Sequence, residues 1–384
     1  MDAEERARRE AVRRALSGEP VAAIMARLGR SRRWIFKWLE RYDTEDDGWA
    51  RSRSRAPRTV GNKSDPELET LVVSVRAKLQ ANPWAQVGSA AISWELHKLG
   101  VRGLPQLRTV ERILARAKVP RRQMRSRYRP KGTPYPVPAS RRANDCHEAD
   151  LVGPRHLAGA IPFFVLNVVD LGRHAVACEL LRSKGDLATA QALIRVWGRL
   201  GIPRRLKLDN WLIAGGRTLP AVVRLCLALG VIPVFVPFAE PWRQGVVEQF
   251  NDTFDKRFFR SERFADLGQV RRRMASFERF HNGHHRYAAL KGATPDEATA
   301  RLGFRPRLLD PGFTIPERLP RKGRVEFIRF IRSDRQLRVL GRDILLDEAF
   351  VHEYVTATLH VRAQTLAVLH RDRGVALLPF PLRE

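Results

Sequence analysis

The feature that most limits the fold of this chain is an alternation of strand-like and helix-like runs across residues 201–253. A short apolar run ends at Leu208, an amphipathic run covers 219–229, a strand-like run covers 231–236, and a helix-like run begins at Gly245. Strands that alternate with helices are typical of an α/β layer. This stretch therefore predicts an α/β core.

The same layer extends upstream. Runs 161–170 and 174–181 are predicted strands joined by a turn at Gly172, and 186–200 is a predicted helix. With a first strand around Asp150, the order is three strands, helix, strand, helix, strand, helix. The predicted core, residues 143–300, is a mixed five-stranded sheet flanked by helices.

Residues 1–45 are a predicted helix-turn-helix domain. A short helix ends before Gly29, and Ser31 is placed to cap a second helix whose Ile35 and Trp38 would face a core. The exposed face would carry the basic side chains that could enter a DNA major groove, namely Arg32, Arg33 and Lys37. The alternative is an ordinary three-helix bundle with a solvated basic side.

The rest of the chain divides into further predicted domains and linkers. Residues 64–120 carry a second helix-turn-helix pattern, between a basic linker at 46–63 and a linker rich in proline and arginine at 121–142. Another linker of that composition covers 301–323. Period-two alternation in the tail predicts a small β-barrel at 324–384.

The net charge of +29 indicates a polyanionic partner, because arginine and lysine contacts to phosphates release counterions without any base readout. Double-stranded DNA is the expected partner, and an anionic membrane surface is the other candidate. No apolar run approaches the roughly 18 to 20 residues of a spanning helix, and no signal peptide is visible. The three cysteines, widely spaced in apolar surroundings, are expected to be reduced core residues of a cytosolic protein.

Three acids stand where rigid elements end or begin. Asp150 precedes a strand-like run, Asp209 follows the short strand ending at Leu208, and Glu248 lies in the first turns of a helix. Three converging carboxylates can hold two divalent ions that steady both oxygens of an in-line phosphoryl displacement. Hard oxygen ligands favour Mg²⁺ or Mn²⁺. The repulsion among the carboxylates makes the metals a requirement.

Each of these acids also has a simpler interpretation. Asp150 could be a solvated loop acid, with Asp145 or Glu148 as the ligand instead. Asp209 could be a turn former, and Glu248 could be an acid that merely suits the helix dipole. A histidine group could bind zinc, although a solvated or DNA-facing cluster is the expected state; its members are His281, His284 and His285.

Several motifs in order resemble the catalytic core of bacterial insertion-sequence transposases, the Asp-Asp-Glu group related to retroviral integrases. The first matching pieces are DLVGPRHLAG from Asp150 and the strand that ends at Asp170 with Arg173 after it. Further along the chain, Gly-Ile-Pro leads into Asp209-Asn210, residues 241–245 lead into Glu248, and a last segment ends in Thr294-Pro295. The front and tail domains also suit this group, so the resemblance covers nearly the whole chain.

The resemblance implies a ribonuclease-H-like fold with Asp150, Asp209 and Glu248 as catalytic ligands of two Mg²⁺. In such enzymes water exposes a 3′-hydroxyl at the transposon end, and that hydroxyl then attacks target DNA without a covalent enzyme intermediate. The front domains would bind terminal inverted repeats, and a homo-oligomer would hold two ends in a synaptic complex. A helper ATPase is a candidate further partner. The implied location is the bacterial cytoplasm, at the nucleoid.

The chain departs from the family pattern at a few positions. Trp211 stands in place of a glycine, and Gln244 stands in place of an asparagine. Asp255 replaces a basic residue two helical turns after the glutamate, and Lys256 and Arg257 follow it as candidate DNA contacts. The alternatives to a transposase are an inactive, transposase-derived DNA-binding regulator and a metal-dependent nuclease that only hydrolyses.

Overall fold

A computed structural model describes residues 2–53, 64–120, 134–136, 140, 142–157, 161–213 and 219–382. The chain forms two compact units, Met1–Asp65 and Pro66–Glu384. Most of each predicted linker at 46–63 and 121–142 lies outside the described residues. The separate predicted domain boundaries within the second unit stay predictions.

The first unit is a three-helix domain, as predicted. Its helices are α1 (Ala3–Leu16), α2 (Val21–Leu28) and α3 (Arg32–Glu40). Ser31 caps α3, because its side chain accepts a hydrogen bond from the Trp34 backbone N–H at 3.3 Å. Ile35 and Trp38 are buried, which confirms the predicted inner face of α3.

A second helical group opens the larger unit. Its helices are α4 (Pro66–Ala81), α5 (Ser89–Lys98) and α6 (Leu107–Arg116). Val72 and Val75 of α4 are buried in a small core that the three helices share. Trp84, in the connection to α5, packs edge to face against Phe277 and Phe280 at 5.7 Å between ring centroids. Trp84 therefore joins this helical group to the rest of the unit.

The five strands and the first three helices of the predicted core lie close to their predicted positions. The strands are β1 (Cys146–His156), β2 (Pro162–Asp170), β3 (Val176–Leu181), β4 (Arg205–Leu208) and β5 (Ile232–Phe235). The helices are α7 (Asp186–Leu200), α8 (Ala221–Ala228), α9 (Gly245–Phe254), α10 (Leu267–His284) and α11 (Pro295–Arg301). The helix predicted to begin at Gly245 is α9, and a π-helical turn, Asp255–Phe259, follows it. Cys146, Cys178 and Cys226 are buried with free thiols, as predicted.

The sheet has nine strands, so the prediction of five is wrong. The tail contributes β6 (Arg324–Phe330), β7 (Gln336–Val339), β8 (Arg342–Leu345), β9 (Tyr354–His360), β10 (Thr365–His370) and β11 (Arg373–Pro379). The strand order is β11-β10-β9-β6-β5-β4-β1-β2-β3, and β7 and β8 form a separate hairpin. The strands from β1 to β3 are antiparallel, and β1, β4, β5 and β6 run parallel.

The predicted C-terminal β-barrel is not confirmed. Instead, β6 pairs with β5 and extends the core sheet, with Phe235 opposite Phe327 and their rings stacked 5.4 Å apart. Period-two alternation predicts strands but does not specify their partners. The β5 edge would otherwise leave backbone groups unpaired, and β6 satisfies them.

The two faces of the sheet are covered by different helices. Along β2, Leu166 and Val168 face the core that includes α7 and α8, whereas Val165 and Val169 face the core that includes α9 and α10. Asn167 shares the second face by the period of two. Asn167 is therefore a polar position at which a helix on this face, such as α9, can form a hydrogen bond to the sheet.

His281 is buried, so the expectation of a solvated histidine cluster is wrong for this residue. Its Nε2 lies 2.7 Å from the Tyr287 hydroxyl. His285 stacks on His281 with centroids 4.3 Å apart, and its Nε2 lies 2.9 Å from the Gln86 amide nitrogen. An imidazole nitrogen that accepts a hydrogen bond is unprotonated. Burial, assisted by the positive charges of neighbouring residues, lowers the pKa of His285 to about 3.

We expect acid to destabilise the fold through His285. A folded pKa below the unfolded value of about 6.5 means that its contribution is complete above pH 6.5 and is lost as pH falls toward the folded pKa. Lowering the pH from 7 to 5 should cost about 2 kcal/mol through this histidine. Urea unfolding at pH 7 and pH 5 measures the decrease in the free energy of unfolding. In His285→Gln this decrease should be smaller by that amount, whereas in the control His97→Gln, at an exposed position, it should be the same as in the unchanged protein. If the free energy of unfolding decreased equally in His285→Gln and in the unchanged protein, His285 would not be the source of the acid sensitivity.

Candidate active site

The three predicted acids come from three adjoining elements. Asp150 lies in β1, Asp209 directly follows β4, and Glu248 lies in the first turn of α9. The strands β1 and β4 run parallel, with Glu148 opposite Lys207. Asp150 lies two residues farther along β1, and Asp209 lies two residues beyond Lys207, just past the end of β4, so the two acids occupy neighbouring positions where β4 ends.

The electrostatics of these acids show that they influence one another. Burial raises the pKa of the Asp150 carboxyl, hydrogen bonds from Leu151 and Asn251 oppose the rise, and the charge of Asp209 adds to it. Partial burial also raises the pKa of Glu248, with further contributions from the charges of Asp150 and Glu148. Mutual repulsion of this kind favours a bound cation.

Asn251 joins the helix to the first two strands of the sheet. Its Nδ2 donates to Asp150 Oδ2 at 2.6 Å, and its Oδ1 accepts from Asn167 Nδ2 at 2.8 Å. Asn251 follows Glu248 by three residues, so both lie on one helix face. That spacing is a signal in the sequence that our reasoning from the acids alone missed.

Glu148, the alternative ligand to Asp150, has both carboxylate oxygens engaged within the protein. Oε1 accepts from Lys207 Nζ at 2.7 Å, and Oε2 accepts from the Val247 backbone N–H at 2.9 Å. Asp145 lies before β1 begins and accepts from the Arg142 backbone N–H at 3.1 Å. Asp150, the remaining candidate on this segment, has a carboxyl pKa that is raised by burial and further by the charge of Asp209.

Asn210, next to Asp209, is held by an arginine from the tail. Arg329 on β6 is buried and donates from Nη2 to Asn210 Oδ1 at 2.9 Å and from Nη1 to the Val236 carbonyl at 3.0 Å. Asn210 Nδ2 donates to the same carbonyl at 2.6 Å. Burial lowers the pKa of Arg329 to about 9, opposed by Tyr135 and Asp209.

Arg329→Met should destabilise the larger unit by about 3 kcal/mol, because it removes the donor to the buried Asn210 Oδ1 and the donor from Arg329 Nε to the Arg338 carbonyl. Urea unfolding of the full chain measures this difference. Arg332→Met, at an exposed position on the same segment, is the control and should change stability by less than about 0.5 kcal/mol. Equal stabilities of the two variants would contradict the structural role of Arg329.

The donor chemistry of the three acids fits a hard divalent cation, because all of their side-chain donors are carboxylate oxygens. Among the described residues, however, no three histidine, cysteine, aspartate or glutamate side chains are already gathered into a group that could hold a metal ion. This applies to Asp150, Asp209 and Glu248 and equally to the histidines of α10. The three acids therefore lie on adjoining elements, but their carboxylates do not already form a metal-binding group.

The residues that depart from the family pattern are accommodated in different ways. Trp211 is half-buried and packs against the main core. Gln244 is buried directly before α9. Asp255 is flanked by Arg155 at 2.5 Å and Arg260 at 2.6 Å, so two cations surround the acid at this position.

The predicted DNA contacts fall into two groups. The exposed face of α3 carries Arg32, Arg33 and Lys37, together with the half-exposed ring of Phe36, which our sequence reasoning did not single out. After α9, Lys256 is exposed and pairs with Asp252, whereas Arg257 is half-buried and donates to the Trp84 carbonyl at 3.0 Å. Part of the donor capacity of Arg257 is therefore used within the protein.

Residues 2–50 match the model of a family described as a homeodomain-like domain of the helix-turn-helix type. Among solved structures, this chain is similar to a chain in the cryo-EM structure of the simian T-cell lymphotropic virus intasome with a PP2A regulatory subunit. The two share 16% sequence identity with a TM-score of 0.37, and the match covers 77% of this chain and 93% of that one. The HTLV-2 integrase catalytic core domain in complex with magnesium (13%, TM-score 0.33) and the BIV integrase catalytic core (17%, TM-score 0.32) each cover 42% of this chain, and 99% and 96% of their own. Similarities at TM-scores this low carry no weight for function.

Among the described residues, no helix is both long enough and apolar enough to cross a bilayer.

Proposed function

We propose that this chain is a DNA transposase of the Asp-Asp-Glu group, which binds the inverted repeats at transposon ends, cleaves the 3′ ends and joins them to target DNA. The proposal is supported by the positions of Asp150, Asp209 and Glu248 on or beside two parallel strands and a helix, where the charge of Asp209 acts on Asp150 and the charge of Asp150 acts on Glu248. The reaction class, metal-dependent cleavage and joining of DNA strands, is taken from the resemblance of the motifs to the Asp-Asp-Glu transposases.

The front of the chain supports a DNA substrate. The homeodomain-like match covers α1 to α3, and α3 presents Arg32, Arg33 and Lys37 outward. Contacts of such a helix to base edges would give recognition of the repeat, and the net charge of +29 would supply binding to phosphates. We propose Lys256 and Arg257 as contacts to DNA near the acids, in an oligomer that holds two ends, within the bacterial cytoplasm.

Asp150, Asp209 and Glu248 would together hold two Mg²⁺ or Mn²⁺ ions. Bound metals of this kind supply charge stabilisation to the attacking and leaving oxygens of a phosphodiester. Asn251 keeps the Asp150 carboxylate in place, and Arg329 keeps the loop of Asp209 and Asn210 in place. The contribution of the protein is thus to preorganise acids that repel one another until cations are present.

The test is incubation of the purified full chain with Mg²⁺ and 5′-labelled duplexes that carry the DNA bordering each end of its reading frame. Joined products are the expected result. Nicks without joining would indicate a nuclease that only hydrolyses. Binding without cleavage would indicate a regulator derived from a transposase. Either of these results would overturn the proposal.

A further inference from the structure

We infer that the buried Glu148 and Lys207 pair is a positioning device that fixes the relative placement of the three acids. This inference rests on the proposed function and assigns a role to two residues outside the Asp-Asp-Glu set. The pair would act through the backbone, by joining the three elements that carry Asp150, Asp209 and Glu248 at a point just before each acid.

The contacts of the pair reach every one of these elements. Glu148 on β1 accepts from Lys207 Nζ on β4 at 2.7 Å, and its second oxygen accepts from the Val247 N–H in α9 at 2.9 Å. Lys207 Nζ also donates to the carbonyl of Arg243, in the turn before α9. The side chains of Glu148 and Lys207 are 3% and 5% exposed, so water does not compete for these bonds.

The spacing along the chain transmits this arrangement to the acids. Asp150 follows Glu148 by two residues on β1, so their side chains lie on the same face, and Asp209 follows Lys207 by two, one residue past the end of β4. Glu248 directly follows Val247. Each acid is thus only one or two residues from a contact of the Glu148 and Lys207 pair. A displacement of these contacts would therefore move the acids relative to one another.

Glu148 also satisfies the beginning of α9. The first backbone N–H groups of a helix have no partner within the helix. Within the described part of the chain, the N-cap residue Gln244 makes no capping hydrogen bond with its side chain. The Glu148 carboxylate serves in its place, and its negative charge suits the positive end of the helix dipole. The orientation of the helix that carries Glu248 thus depends on a residue of β1.

Stability alone does not account for such a pair. Removing two charges from water offsets most of their mutual attraction, and apolar residues of similar volume often stabilise a fold as well. Apolar residues could not supply three directed hydrogen bonds to three elements. Directed bonds beneath a ligand set typically control the affinity for the metal, with losses of about 10- to 100-fold when they are removed.

The test separates position from charge. Glu148→Gln with Lys207→Gln keeps the net charge beneath the acids unchanged while removing the ion pair. The matched control is Arg286→Gln with Glu297→Gln, which removes another partly buried ion pair, 2.8 Å apart, that joins the segment after α10 to α11. Isothermal titration with Mn²⁺, on the full chain without DNA, measures the affinity for the metal, and thermal unfolding reports stability.

We expect the Glu148 and Lys207 double variant to bind Mn²⁺ about 10- to 100-fold more weakly than the unchanged protein. The control should lose stability but keep its affinity within about threefold, since its pair lies outside the ligand environment. Glu148→Asp provides a second variant if the double variant does not fold. Its shorter side chain keeps the charge but cannot span both partners, so it should also bind Mn²⁺ more weakly.

Unchanged Mn²⁺ affinity in the folded variants would overturn the positioning role and leave the proposed function standing. Equal losses in the control would do the same, since they would show a general effect of stability. If Asp209→Asn bound Mn²⁺ as tightly as the unchanged protein, the acids would not be metal ligands. The proposed function would then fail first, and this inference with it.

Discussion

Asp209→Asn is expected to abolish 3′-end cleavage and strand joining while leaving the binding of DNA ends nearly unchanged. Asparagine keeps the size of the side chain but removes the charge that lies beside Asp150. Loss of a metal ligand removes several kcal/mol of charge stabilisation, which corresponds to a rate decrease of about 1,000-fold or more. Single-turnover cleavage in Mg²⁺ measures the rate, and gel shifts without a divalent metal measure the binding.

The control for this variant is Asp343→Asn, the same chemical change at an exposed position on β8. It should retain the rate and the DNA binding of the unchanged protein. Loss of DNA binding in Asp209→Asn would count against its role as a ligand, because the residue would then be needed for the fold or for the DNA surface. Cleavage within about tenfold of the unchanged protein would also contradict the assignment, because a ligand contributes more than this.

A chain that ends after residue 322 is expected not to fold, even though it contains every predicted catalytic acid. It lacks β6, which pairs with the edge of β5, and it loses Arg329, which holds Asn210. It also loses large apolar side chains of the main core: Val325, Phe327, Val355, Leu359, Leu366, Val368 and Phe380. Each buried side chain of this size contributes about 1.5 to 3 kcal/mol. Their sum is comparable with the whole net stability of a domain, about 5 to 15 kcal/mol.

Far-UV circular dichroism and thermal unfolding test this truncation, with residues 64–322 compared with residues 64–384. The longer fragment is the control, because it lacks only the first compact unit and should melt cooperatively. An independent C-terminal domain predicts instead that the shorter fragment melts within a few degrees of the longer one. That result would show that β6 extends the sheet but does not contribute to its stability.

The core of this protein was predictable because its signals are local. Short apolar runs that alternate with amphipathic runs located β2, β4, α7 and α8 nearly to the residue, as the helix Asp186–Leu200 shows. The capping of α3 by Ser31 was predictable for the same reason, since a cap and its helix are adjacent in sequence. The placement of Asp209 directly after a strand also followed from its immediate neighbours.

The tail was harder because strand pairing is not local. The period of two in residues 324–384 predicted strands correctly, but the pairing of β6 with β5 joins residues about 90 positions apart. No turn or cap specifies such a partner. A closed barrel and an extended sheet have the same alternation, and the open edge of β5 favours the sheet.

The sequence by itself determined the elements of this protein, its basic character and the three acids, because periodicity, charge and motif spacing are properties of neighbouring residues. Only the tertiary structure decided that the tail completes the core sheet and that Glu148 binds Lys207 and caps α9. It also decided that Arg329 supports the loop beside Asp209. These contacts join residues 59, 99 and 119 positions apart, and they form because burial leaves each polar group only the partners that the packed elements bring to it.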